Sequence, residues 1–228
     1  MSNFLSSSIG KKIFMSVTGF FLMSFLLVHL GINLLLIFDD TGTLFNQGAN
    51  FMATNPIIKV VEPILALGFI LHIIYASILT ISNIVARPIK YSRVNQTQAS
   101  SWASRNMFIL GSLIFIFLVL HIMNFYWKIK VEHSLAAITI NGEEMHNTYA
   151  LVKGLFTNNS FGLIYSILYI LGAIFLGVHL THGFWSAFQT IGLNNDLWRK
   201  RLEFLGKVFA IIIALGFSII PIYFTIKF

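Results

Sequence analysis

Five of the seven histidines lie inside long apolar stretches: His29 in "FLLVHLGIN", His72 in "GFILHIIYASI", His121 in "FLVLHIMNF", and His179 and His182 in "GVHLTHGFWSAF". Imidazole offers a neutral metal ligand, a hydrogen-bond donor and an acceptor in one ring. Placed among lipid tails it is costly and tends to be functional, although a neutral imidazole bonded to a neighbouring helix is the plain structural alternative. The distribution adds weight to the functional side. Each of the first four apolar stretches carries at least one His and the fifth carries none, while no stretch contains Asp, Glu, Lys or Arg. Proton relays and cation paths usually need carboxylates, so bare imidazoles suit them poorly. They suit haem iron, whose two axial ligands approach the ring from opposite faces and therefore from two facing helices. Four helices with one ligand each would hold two haems. A zinc or copper site remains open, and would favour a pair three residues apart such as His179 and His182. His133 and His146 fall between stretches and read as solvated structural residues.

The elements that must position these rings are membrane helices. The chain has 228 residues, 57% of them hydrophobic and only 10% charged, with 23 Phe and no Cys. That is too apolar for a soluble domain, and it excludes disulfides, iron–sulfur clusters and thiolate metal sites in this chain. A helix needs roughly 20 apolar residues to cross about 30 Å of hydrocarbon. Stretches free of charge predict spans at about 13–38, 63–86, 106–127, 161–191 and 208–226. The expected fold is an all-α integral membrane protein, five transmembrane helices in one haem-binding bundle, with no second domain and no internal repeat. Backbone groups in lipid can be satisfied only within helices or closed barrels.

Lys11, Lys12, Arg87, Lys90, Arg93, Arg105, Arg199, Lys200, Arg201 and Lys207 cluster on one side of this topology. The bias predicts a cytoplasmic N-terminus and an outer C-terminus, and it accounts for the net charge of +7 without nucleic acid; the expected location is a bacterial cytoplasmic (inner) membrane. The N-terminal segment has no small-residue cleavage site and reads as mature sequence. In the longest outer loop, "ITINGEEMHNTY" contains an Asn-Gly pair that predicts a short hairpin.

At a rise of 1.5 Å per residue from the basic ends, His29 lies at about 24 Å, His121 at about 22 Å, His72 at about 21 Å and His179 at about 18 Å. The order suggests an outer pair, His29 with His121, and an inner pair, His72 with His179, without settling the pairing. Gly68 precedes His72 by four residues and Gly183 follows His179 by four, each on its histidine's face. Such glycines leave a gap for a flat macrocycle or serve close helix packing equally well.

On "SSIGKKIFMSVTGFFLMSFLLVHLGIN", "GFILHIIYASI", "FLVLHIMNF" and "HLTHGFWSAFQTIG", the chain resembles the cytochrome b membrane-anchor subunit of succinate:quinone oxidoreductases, in its single-chain, five-helix, di-haem form. The likeness runs over nearly the whole chain and rests on the constellation, since no single motif is unique. It implies two haem b groups, the outer held by the first and third helices and the inner by the second and fourth. Residue by residue that gives His29 with His121, and His72 with one histidine of the fourth helix. The family pattern there is a ligand four residues before a Gly, then an aromatic, with a second Gly nine residues after the first. Gly183, Trp185 and Gly192 match it and select His179. His182 is left as a haem-propionate contact or the alternative ligand. Some fumarate-reducing relatives carry a Glu two residues before this ligand, implicated in proton movement. Here that position is Gly177, which puts such a path in doubt.

The resemblance further implies a quinone, menaquinone for the di-haem form, and two partners: a flavoprotein subunit carrying FAD and an iron–sulfur subunit. Those partners would catalyse succinate oxidation or fumarate reduction in the tricarboxylic acid cycle or its reverse. This chain, with no dinucleotide fingerprint and no Cys, would anchor them and carry electrons. Asn33, Asn124 and Trp127 toward the outer side, and Trp102 and Arg105 toward the inner, could serve a quinone, and aromatic belts explain the Trp residues as well. Two rival readings share the residues: the cytochrome b subunit of a hydrogenase or formate dehydrogenase, and a His-lined transporter without haem.

Overall fold

The computed structural model describes residues 7–86, 101–193 and 195–228; Arg87, Lys90 and Arg93 lie outside them. Five helices are long and apolar enough to cross a membrane, and together they form an all-α bundle. Helix α1 (Ser8–Phe38) begins where the Ser7 hydroxyl accepts the Gly10 N–H at 3.0 Å. A short helix α2 (Thr43–Thr54) leads into α3 (Pro56–Val85). Pro56 stands in the first turn of α3, where its missing N–H costs nothing, and the Asn55 side chain accepts from Ile57 and Ile58. After a single turn, α4 (Trp102–Arg105), comes α5 (Met107–Lys130), which holds a π-helical turn at Ile122–Tyr126. Strands β1 (Ala137–Ile140) and β2 (Glu143–His146) precede α6 (Thr148–Thr157), α7 (Gly162–Thr190) and α8 (Asp196–Lys227).

Helices α3 and α8 start earlier than the spans read from sequence, by seven and twelve residues. A charge ends an apolar stretch but does not end a helix. Lys59 and Glu62 ride on the first turns of α3, and Arg199, Lys200, Arg201 and Lys207 on those of α8, which Asn195 caps. At 32 residues α8 is about 48 Å long by its rise, well beyond a hydrocarbon layer. Its apolar part begins at Val208; in the turns before it Arg199, Lys200, Arg201 and Lys207 are exposed, while Leu202 is buried and Gly206 packs on Phe184. Pro221 is accommodated inside α8, where it is buried.

The outer surface is apolar. Along α3, Ile57, Val60, Ile64, Leu67, Ile74 and Ile81 are all exposed at spacings of three, four and seven. A water-soluble bundle would turn that stripe inward; here it faces lipid. This is a multi-pass membrane protein, and its solid part is the trio α1, α7 and α8. Met23, Leu30, Leu180, Ala187, Ala210 and Ile213 form the core between them. Glycines let the backbones approach: a Cβ on Gly177 would stand 2.8 Å from the Ala214 Cβ, and one on Gly216 would stand 2.8 Å from Leu30. Gly177→Val is therefore expected to cost about 1–3 kcal/mol of stability through overpacking. Gly154→Ala, with open space around it, should be close to neutral in the same thermal-unfolding measurement in detergent.

One end of the bundle is capped. Helices α2 and α6 close over it on a core of Leu36, Phe45, Tyr149, Phe156, Ile220 and Phe224. The fully buried Asn46 accepts the Tyr149 N–H at 2.8 Å and donates to Asn147 at 3.3 Å. The strands pair with Ile140 opposite Glu143, and Asn141 and Gly142 both take positive φ (55° and 84°), as a tight two-residue hairpin turn requires. Asp40, just beyond α1, meets Tyr223 and Lys227 at the end of α8, which ties the first helix to the last. That ion pair, with the Tyr223 hydroxyl, holds the Asp40 carboxyl below its ordinary range. The opposite end carries Lys11, Lys12 and the basic turns of α8.

Candidate functional site

Helices α1, α3, α5 and α7 do not meet along a common axis. They line a partly open cavity of about 2530 Å³ that runs from Lys12 and Arg105 at the basic end to Glu62, Lys130 and His146 at the capped end. Small-ligand pockets are typically about 300–1,000 Å³, so this one has room for more than one large group. All five intramembrane histidines line it, whereas His133 stays outside, on the surface.

The structure brings the His29 and His121 rings together. Their centroids are 5.7 Å apart with planes at 88°. Imidazole nitrogens bind a metal at roughly 2 Å, so rings on opposite sides of one ion have centroids about 6 Å apart. Phe25 stacks on His29 at 5.1 Å and Phe217 tilts against it at 5.5 Å; Phe125 stands 5.2 Å from His121. His72 and His179 line the same cavity nearer the basic end. His179 lies within electrostatic range of both His72 and His182.

The donor set fits haem iron in a specific way. His121 Nδ1 and His179 Nδ1 are buried with no hydrogen-bond partner, an unusual state for a polar atom, and both residues line the cavity. Among the described residues no three His, Cys, Asp or Glu gather around one point. The His29 and His121 rings meet across α1 and α5, while His72 on α3 and His179 on α7 line the same cavity.

The glycines flanking His72 and His179 divide. A Cβ on Gly68 would press on the Phe21 ring at 3.1 Å, so Gly68 serves the packing of α3 on α1 and leaves no gap beside His72. Beside Gly183 only His179 Cδ2 comes near, at 4.0 Å, and that side is open. A third glycine, Gly111 on α5, faces His179 Cε1 at 3.9 Å. Sequence reasoning passed over it because ten residues separate it from the histidine of its own helix. Gly177 packs on Ala214 and the Ala210 carbonyl, turned toward α8 and away from the cavity, so a carboxylate has no room there.

Three polar contacts were not legible beforehand. Thr18 on α1 approaches His72 Nδ1 at 3.1 Å. Asn124, in the π turn that starts just after His121, is buried and donates to the Tyr169 hydroxyl at 3.1 Å. An extra residue in one turn re-aims neighbouring side chains and often marks a functional position. Glu62, which the longer α3 brings onto the cavity wall, is paired with Lys130 at 3.3 Å. Of the residues considered for a quinone, Asn33 spends its amide on the His29 carbonyl at 2.8 Å and Asn124 on Tyr169. Trp102 and Trp127 are exposed, and Arg105 lines the cavity.

Fold and site define a class: a multi-pass α-helical membrane protein whose cavity gathers histidines from four of the five long apolar helices among the described residues. Comparison with models of protein families, with curated proteins and with solved structures returns no match to this chain. The functional reading therefore rests on the residues and their arrangement.

Proposed function

We propose that the chain is the di-haem cytochrome b anchor of a succinate:quinone oxidoreductase in a bacterial cytoplasmic membrane, N-terminus inside. The observation that carries this reading is the placing of at least one histidine from each of α1, α3, α5 and α7 on a single large cavity, with the His29 and His121 ring centroids at axial-pair separation. His29 and His121 would hold one haem b, His72 and His179 the other, and His182 stands one turn nearer the basic end to meet a propionate.

Haem supplies one-electron transfer by cycling its iron between the ferric and ferrous states. The chain's own residues fix the rings and exclude water. The aromatic shell of Phe25, Phe117, Phe125 and Phe217 keeps the surroundings of the outer pair apolar. At the basic end, the exposed Arg199, Lys200 and Arg201 of α8 would form a docking face for an iron–sulfur subunit that itself carries a flavoprotein with FAD. Membrane quinone, menaquinone by the same reading, is the electron partner on the lipid side.

The test is an optical spectrum of the purified chain with haem quantitation. A Soret band, a b-type α band on reduction and two haems per chain are expected; their absence returns the protein to the His-lined transporter reading. Co-purification of a flavoprotein with covalent FAD is expected from the native membrane. A nickel or molybdenum subunit in its place points to a hydrogenase or formate dehydrogenase cytochrome b.

A further inference from the structure

The four candidate ligands are not equivalent in what holds them. Among the described residues, only His72 has a side-chain oxygen at a ring nitrogen: Thr18 Oγ1 at 3.1 Å from Nδ1. His29 Nδ1 faces the Asn33 amide nitrogen at 3.4 Å, while the buried Nδ1 atoms of His121 and His179 have no partner. Thr18 is buried, and its hydroxyl also lies 3.0 Å from the Phe14 carbonyl and 3.1 Å from the Met15 carbonyl. A hydroxyl has one proton and two lone pairs, whereas a carbonyl can only accept. The Thr18 proton therefore points along its own helix, as threonines in helices commonly bond back one turn. Its lone pair is left to accept Nδ1–H from His72. That contact selects the tautomer in which Nε2 is unprotonated and free to bind a metal.

The contact is built into the helix packing. Gly68 sits one turn from His72 on α3 and Phe21 sits three residues from Thr18 on α1. The close approach of Gly68 to Phe21 sets the register that brings Thr18 against the imidazole. Phe25 against Phe69, ring centroids 6.2 Å apart, continues the same seam one turn further.

We infer that Thr18 is the positioning residue of the inner haem: it fixes the tautomer and orientation of His72 and, by accepting a hydrogen bond from its Nδ1–H, makes the ring a stronger donor to ferric iron. The inference rests on the di-haem reading. A hydrogen-bond acceptor on the distal nitrogen raises ligand basicity, and such contacts change metal affinity by about 10–100-fold when lost. Removing it disfavours the ferric state, and for a one-electron couple each tenfold loss raises the midpoint potential by about 59 mV.

The experiment is a redox titration, with low-spin ferric EPR, of the full chain and of Thr18→Val and Thr18→Ser. Valine keeps the shape and removes the hydroxyl; serine keeps the hydroxyl. In Thr18→Val the inner haem is expected to rise in potential and shift its EPR signal, or to be lost, while the outer haem is unchanged and Thr18→Ser stays with the parent. An unchanged Thr18→Val overturns the inference, and so does equal damage by valine and serine, which marks a packing role. If the parent chain holds no haem, the di-haem reading itself has failed, and that outcome is visible before any variant is made.

Discussion

His29→Ala is expected to remove one haem of two, and His121→Ala to remove the same one. Both rings belong to the pair whose centroids stand 5.7 Å apart, so under the proposed reading each variant leaves the outer macrocycle with a single protein ligand. Bis-histidine ligation needs a ring on each face, so one missing ring breaks the site instead of weakening it by half. The haem content should fall from two to about one per chain, and the remaining haem should titrate as the inner one does in the parent. The double variant should lose no more than either single, because residues that act as one unit are not additive. His72→Ala is expected to give the complementary loss. A fall to zero in any single variant would show that the sites are not independent; no fall in His29→Ala would remove the outer pair from the reading. A pyridine haemochrome assay with protein quantitation reads all of these outcomes.

Much of this architecture was legible because lipid constrains sequence so strongly. A charge-free stretch of the right length has to be a helix, and the five stretches located the five long helices. The hairpin at Asn141 and Gly142 was legible for a different reason: few residues tolerate positive φ at two successive positions. Helix ends were less visible. Hydropathy registers where charge begins, whereas the ends of α3 and α8 are set by Asn55 with Pro56 and by Asn195, which act through backbone N–H groups.

The site divides along the same line. Which rings could serve was visible from residue type, because a histidine in an apolar stretch stands out. What surrounds each ring depends on the rotation of one helix against another, and a bundle without clear polar and apolar faces gives little sign of that. Gly68 and Gly183 have equivalent sequence settings, one turn from a histidine, yet one packs on Phe21 and the other borders open space. Thr18 touches His72 across 54 positions of sequence. The π turn after His121 shifts the phase of everything that follows it in α5, which a constant helical period cannot anticipate.

The second large effect separates the two histidines of α7. His179→Ala is expected to lose the inner haem and His182→Ala to keep both. Three residues apart, they differ by about 60° in direction and 4.5 Å in height on an ideal helix. Both line the cavity, and what separates them is what borders each ring. His179 is the one bordered by two glycines from different helices, Gly183 on α7 and Gly111 on α5, at 4.0 and 3.9 Å. It also has the buried Nδ1 without a partner, and it lies within electrostatic range of His72. His182 is half-buried on the cavity wall nearer the basic end, where a propionate would emerge. Its removal should alter the inner potential modestly and leave the haem count at two. The glycines supply an independent arm that leaves all ligands in place. Gly111→Leu and Gly183→Leu fill the space beside His179 from either side, and both are expected to reduce inner-haem content while sparing the outer haem. If His182→Ala loses the haem and His179→Ala keeps it, the ligand assignment on α7 is reversed. Full inner-haem content in both leucine variants would mean that the macrocycle does not lie against these glycines.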